Sequence, residues 1–338
     1  MPLERTTVSK PQQFPIARQS AGLPPPRRPG SIRRTTTIDS HWPNGRHAPW
    51  RMIGRGRDFL TPTEGDTCIM AEGSFDLLSS PRREILELQV APPHPGAAEL
   101  VGIRAGGASR GRLNEALADA RASVLFQLLD DFPGASLVAP WAWSRWTSEW
   151  PEATSGASET PRAADMEDIC TGFAAGSSAF ADDGNINFGR QSSAPVADLD
   201  ASADPLGWHP LLSVRGPAMR RARRLDLWRE GGVLKADIGF QDSATMPDGE
   251  RSAVHEYRVF AEIDLKDGLL TRIEAEALIL PYAECPGAAL EIGRLVGQPV
   301  DGLRAAVPVT LAGPLGCTHL NDVARSLAGV SELAKAVP

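Results

Sequence analysis

A chain of 338 residues has room for two ordinary domains or one large one, and an apolar fraction of 42% is enough to build a core. The formal net charge of -7 argues against a general nucleic-acid binder, which needs a basic face to displace counterions from phosphate. No apolar run approaches the ~18 residues that span a bilayer, and the N-terminus has no apolar signal core, so the expected location is cytoplasmic.

Residues 1–30 are rich in Pro, Arg and Gln with little to bury, and read as a disordered tail. Residues 31–150 read as an N-terminal α/β half. Its clearest strands are residues 85–90 and 100–105. Gly54-Arg55-Gly56-Arg57-Asp58 fits no phosphate-binding fingerprint and reads as a turn. Leu113, Leu117, Ala120, Val124 and Leu128 recur at helical spacing, with Ser109 as a cap and Phe132-Pro133-Gly134 as a stop. Trp141, Trp143, Trp146 and Trp150 follow closely. They suit either a packed loop or the wall of a site for an apolar or aromatic small molecule. Residues 151–215, rich in Ser, Ala, Gly and Asp, read as a linker or long loop.

Residues 216–334 read as a C-terminal α+β domain. Arg220, Arg221, Arg223 and Arg224 fall on alternate sides of a strand and read as two solvated pairs. Leu234, Ala236, Ile238 and Phe240 alternate with polar residues, as in a half-buried strand. His255, Tyr257, Val259, Ala261 and Ile263 form the apolar face of the next, and residues 269–280 return as a third. Pro286 opens a helix, and a last helix begins near Thr318. The fold class expected is α+β, with small antiparallel sheets and packed helices. The order of features also repeats. Arg34 to Asp39 parallels Arg221 to Asp226, and Arg57-Asp58 parallels Gln241-Asp242, which suggests two duplicated halves.

Four cysteines in a chain this long are not a disulfide scaffold. Cys285 lies before Pro286, and Cys317-Thr318-His319 lies at the start of the last helix. Helix N-termini favour thiolates. With His255 on the neighbouring strand, Cys285, Cys317 and His319 form a candidate metal set. Two thiolates and two imidazoles suit zinc or iron, an iron–sulfur centre included. His255 and Glu284 are the candidate acid–base residues beside it.

Residues 255–327 resemble a bacterial family known as domain of unknown function 2889. The likeness rests on the His255 strand, Pro281-Tyr282, Cys285-Pro286, Leu295-Val296-Gly297 and Gly316-Cys317-Thr318-His319-Leu320. The upstream Arg223-Arg224-Leu225-Asp226 also fits. The order strand, strand, Cys, helix, Cys/His pair is similar, more distantly, to NifU-type iron–sulfur scaffolds, which implies a NifU-like C-terminal half with a metal-binding corner. The functional expectation is a metal-dependent enzyme of small-molecule catabolism, its reaction class (lyase, isomerase or hydrolase) open. The alternatives are a non-catalytic metal or iron–sulfur protein and a structural protein with an ordinary thiol core.

Overall fold

The computed structural model describes residues 10–147, 163–201 and 203–337. Alternating, β-branched-rich segments here join one large sheet rather than several small ones. The first four strands are β1 (Ser31–His41), β2 (Trp50–Thr61), β3 (Cys68–Ser79) and β4 (Ile85–Ala91). A short β5 (Ala194–Val196) precedes the second run, β6 (Ala218–Glu230), β7 (Val233–Thr245), β8 (Arg251–Asp264) and β9 (Leu270–Ile279). The order is β4-β3-β2-β1-β6-β7-β8-β5, with β9 also pairing β8. All these pairings are antiparallel.

The seam between the two runs is β1 against β6, which pair from Ser31↔Trp228 to His41↔Ala218. Both strands are covered on both faces, so their charged side chains are buried and must be paired. On one face Arg33 bonds Asp226 and Arg220 bonds Asp39. On the other, Arg34 holds Asp58 through two hydrogen bonds of 2.6 Å, and Arg221 holds Asp242 through two of 2.9 Å. The arginine cluster is therefore not solvated, because both faces of β6 are covered. In both runs the register shifts just after the paired aspartate, between Asp58 and Phe59 and between Asp242 and Ser243.

Helices α1 (Gly107–Ala116) and α2 (Val124–Val138) cover the first run. Ser123, not Ser109, caps α2 by accepting from the Phe126 N–H, and the helix continues through Pro133 rather than stopping there. Residues 100–105 form no strand. Helices α3 (Gly287–Glu291), α4 (Leu303–Thr310) and α5 (Thr318–Ser326) cover the second run. Each run has its own apolar core, around Phe75, Leu77 and Phe126 in the first and Ile238, Val259 and Leu320 in the second. Between the cores, α2 and α5 meet the seam through charges. Asp322 of α5 accepts from Arg221 and Arg110, Asp131 of α2 from Arg223, and Asp130 from Arg325.

Residues 10–30 do not behave as a free tail. Backbone bonds join Phe14 to Ala283 and Gln19 to Leu278, and Ser20 and Ala21 donate to Glu256. A Pro-rich segment lies down where an open sheet edge supplies acceptors. The described part of residues 151–215 also packs against the sheet. Ala194–Val196 pairs with β8, and Thr171 N–H donates to the Gly316 carbonyl. The glycine-rich segment at residues 54–57 is the middle of β2, where Phe75 fills the space a Gly54 side chain would need. Trp143 packs edge-on to Trp42, which lies against Trp50. Trp150 falls outside the described residues. No helix among the described residues is long and apolar enough to cross a membrane.

Candidate metal centre

Strand register brings the first two groups together. Asp242 of β7 stands directly opposite His255 of β8, and Val254 is the extra residue of the bulge that follows. Bulges re-aim the side chains beside them. The third group comes from the first turn of α5, where His319 lies over the same strands. The imidazoles of His255 and His319 stack, with centroids 3.6 Å apart and planes at 18°. Nδ1 of His255 and Nε2 of His319 lie 3.7 and 3.5 Å from the same oxygen, Oδ2 of Asp242. Both nitrogens are buried and without a hydrogen-bond partner among the described residues. The three ligand atoms all lie within 4.8 Å of one another.

The surroundings set the charge of the group. Burial, then the other imidazole, lowers the His255 pKa well below the usual value, with Asp242 opposing and Arg221 adding to the shift. Burial and the Arg221 guanidinium do the same to His319. Both rings are therefore neutral, the form that binds metal. Arg221 orients the carboxylate by its two bonds and is itself shared with Asp322. On the far side of the His319 ring, Nδ1 meets Thr318 Oγ1 at 3.2 Å and Cys317 Sγ at 3.8 Å. A contact at Nδ1 fixes the ring so that Nε2 faces Asp242.

Of the residues singled out in the sequence, His255 and His319 come together. Cys317 stays beside them, but at the opposite ring nitrogen, so it cannot share with Asp242 an ion bound at Nε2. Cys285 belongs to a neighbouring pocket, where its sulfur lies 2.5 Å from the point a Gly172 side chain would occupy and Cys170 lies 4.0 Å from that point. Among the described residues, no group of three or more with ligand atoms that close includes either thiol. Nor are the thiols activated by helix ends. Burial raises the pKa of Cys285 and Cys317, and burial and Cys317 push Cys170 up to about 12. Desolvation outweighs one helix terminus. Glu284 is taken up as an anchor, accepting from the Ser178 backbone and hydroxyl and from Gln13.

Asp242 is the residue that reasoning on Cys and His overlooked. Its signal was the match of Gln241-Asp242 to Arg57-Asp58, which marked a paired acid beside the His255 strand.

Residues 219–332 match the model of a family described as protein of unknown function (DUF2889). The matched segment is about a third of the chain and holds Asp242, His255, Cys285, Cys317 and His319. The family's description carries no activity. No curated protein and no solved structure matches the chain, so the likeness to NifU-type scaffolds gains no support.

Proposed function

We propose that Asp242, His255 and His319 bind one divalent transition-metal ion, zinc or iron, and that the protein is a metal-dependent enzyme acting on a small apolar molecule. The observation behind this reading is that two buried, unpartnered imidazole nitrogens converge on one carboxylate oxygen at 3.5 and 3.7 Å. Donors about 2.0 to 2.1 Å from a tetrahedral ion stand roughly 3.3 Å apart, so these gaps are wide for hydrogen bonds and close to those of a chelate. An N, N, O donor set suits zinc or iron, whereas thiolates suit iron–sulfur centres. Three protein ligands leave a position open, as catalytic sites do.

The metal would act as a Lewis acid on a carbonyl or hydroxyl oxygen of the substrate. The chain's own part is to hold the carboxylate through Arg221 and the His319 ring through its Nδ1 contacts. Both imidazoles keep 10% of their side-chain surface exposed while Asp242 keeps none, although the two donor nitrogens themselves are buried. Next along the same strands, Val138, Trp141 and Ala142 pack on Met219, Ala244 and Val254, so the side chains beside the three donors are apolar and buried.

We also read the chain as two copies of one meander. Arg34–Asp58 answers Arg221–Asp242, Arg33–Asp226 answers Arg220–Asp39, and the bulges follow equivalent aspartates. In the first run Ala71 stands opposite Asp58, where His255 stands opposite Asp242. The metal site would then be a specialisation of the second copy. A crystal structure with the two bulges at non-equivalent places would dismiss the duplication.

The test is a zinc and an iron(II) titration of chelator-treated protein. The expected result is one ion per chain, lost in His319→Ala and at least a hundredfold weaker in His255→Ala, with Cys285→Ser and Cys317→Ser still loading. Loss of the ion in both cysteine variants alone, or wild-type loading of His319→Ala, rejects the site. Loading without turnover of any carbonyl or hydroxyl substrate would leave the non-catalytic alternative.

A further inference from the structure

Arg55 lies in the middle of β2 and stands in register with Thr37 of β1 and Ser74 of β3. Directly opposed residues share a sheet face. Nε2 of His209 lies 2.9 Å from the Thr37 hydroxyl, so this is the face covered by residues 204–212, turned away from Asp242 and His319. Arg55 is half-buried, and neither its guanidinium nor the Ser74 hydroxyl has a hydrogen-bond partner or a contact ion pair among the described residues, Asp39 acting on Arg55 only at longer range. A groove of about 490 Å³ opens over them, walled also by Glu72, Pro92, His209 and Pro210. That volume is in the range of small-molecule sites, roughly 300 to 1,000 Å³.

The charges around the groove do not cancel. Arg57 gives its hydrogen bonds to the Leu206 and Trp208 carbonyls and has no carboxylate partner in ion-pair reach among the described residues. Asp39 is matched by Arg220 at 2.7 Å. Of the charged groups, Arg55 and Glu72 line the groove itself, and Arg57 and Arg251, neither with a carboxylate in ion-pair reach among the described residues, make the surroundings net positive. His209 registers that field. Burial first, then Arg57, Arg220 and Arg55, drive its pKa down to about 3.

The geometry points to this groove as a binding site for the carboxylate of a small monoanionic organic acid, held by the Arg55 guanidinium with the Ser74 hydroxyl as a second donor. A guanidinium half out of water without a partner forgoes solvation that a ligand can replace. Its planar fork matches a carboxylate in two parallel hydrogen bonds. Glu72 limits the ligand to one negative charge, because a dianion would meet a carboxylate at the rim. Pro92 and Pro210 offer apolar surface to the rest of the molecule. The site stands on its own face of the sheet and does not depend on a metal at Asp242.

The experiment is calorimetric titration of the full chain with sodium benzoate and, separately, with inorganic phosphate. The expected result is saturable benzoate binding, weakened about tenfold or more in Arg55→Met and a few-fold in Ser74→Ala, with no saturable phosphate heat. Arg55→Lys keeps the charge but not the fork and is expected to lose several-fold, which serves if Arg55→Met does not fold. No saturable benzoate heat, wild-type affinity in the Arg55 variants, or phosphate binding as well as benzoate overturns the assignment.

Discussion

Burial, more than residue type, decides what the titratable groups of this chain can do. The same imidazole that would be half-charged near neutral pH in water is held neutral at His209, His255 and His319 by desolvation and neighbouring guanidinium groups. The consequence for stability has a definite sign. A histidine with a depressed folded pKa leaves the unfolded chain to take up a proton first as pH falls below about 6.5. Stability is therefore full above that pH and declines below it. With a folded pKa of about 3, His209 alone costs roughly 2 kcal/mol by pH 5, and His255 and His319 act in the same direction. Chemical denaturation at pH 7.5 and pH 5 should show the loss, and His209→Gln should reduce it. Equal stability at both pH values would contradict the neutral, buried state of these rings.

Among the elements, α2 comes close to the groups that orient the site. A side chain at Gly134 would stand 2.2 Å from Arg221 Nη1 and 2.3 Å from Asp322 Oδ2. Neither group can swing away cheaply, because Arg221 is pinned by Asp242 and both are buried. Gly134→Ala is expected to destabilise by about 3 kcal/mol, through overpacking and a loosened buried ion pair, although alanine is otherwise the better helix former. It should also weaken metal binding, since Arg221 orients Asp242. Urea unfolding with metal titration of the same variant measures both. A change under about 0.5 kcal/mol would mean that the helix shifts to make room.

At the scale of the whole molecule, the segment from residue 219 to 332 that matches a family model is not closed on itself. Its first strand, β6, is paired along its length with β1, and Arg220 and Asp226 are balanced by Asp39 and Arg33 of the first run. A fragment of residues 216–338 would expose the edge of β6 and leave Arg220 without its carboxylate. It should be unfolded or aggregated alone, and recover on mixing with residues 1–215. A monomeric fragment with dispersed amide resonances would show that the second run needs no partner.

The strands of the second run and the helix starts at Pro286 and Thr318 were legible in the sequence, because alternation and helix starts are local signals. Local signals also misled. Gly54 and Gly56 read as a turn, although their missing side chains make room for Phe75 and for Val124 of α2, and Pro133 read as a stop inside a helix that tertiary packing carries onward. Residues 10–30 look unable to fold by composition, and they lie on an edge that composition cannot foresee. That Asp242, rather than Cys285 or Cys317, lies with both imidazoles was decided only in three dimensions. Sequence spacing says which donors are present, but strand register sets Asp242 opposite His255, and the ring of His319 turns one nitrogen to that carboxylate and the other to Cys317. The amino-acid order thus determined the local elements and the kinds of donor. Which donors meet depended on β1 pairing with β6 and on α5 lying over β7 and β8, contacts between residues far apart in the chain that no local pattern encodes.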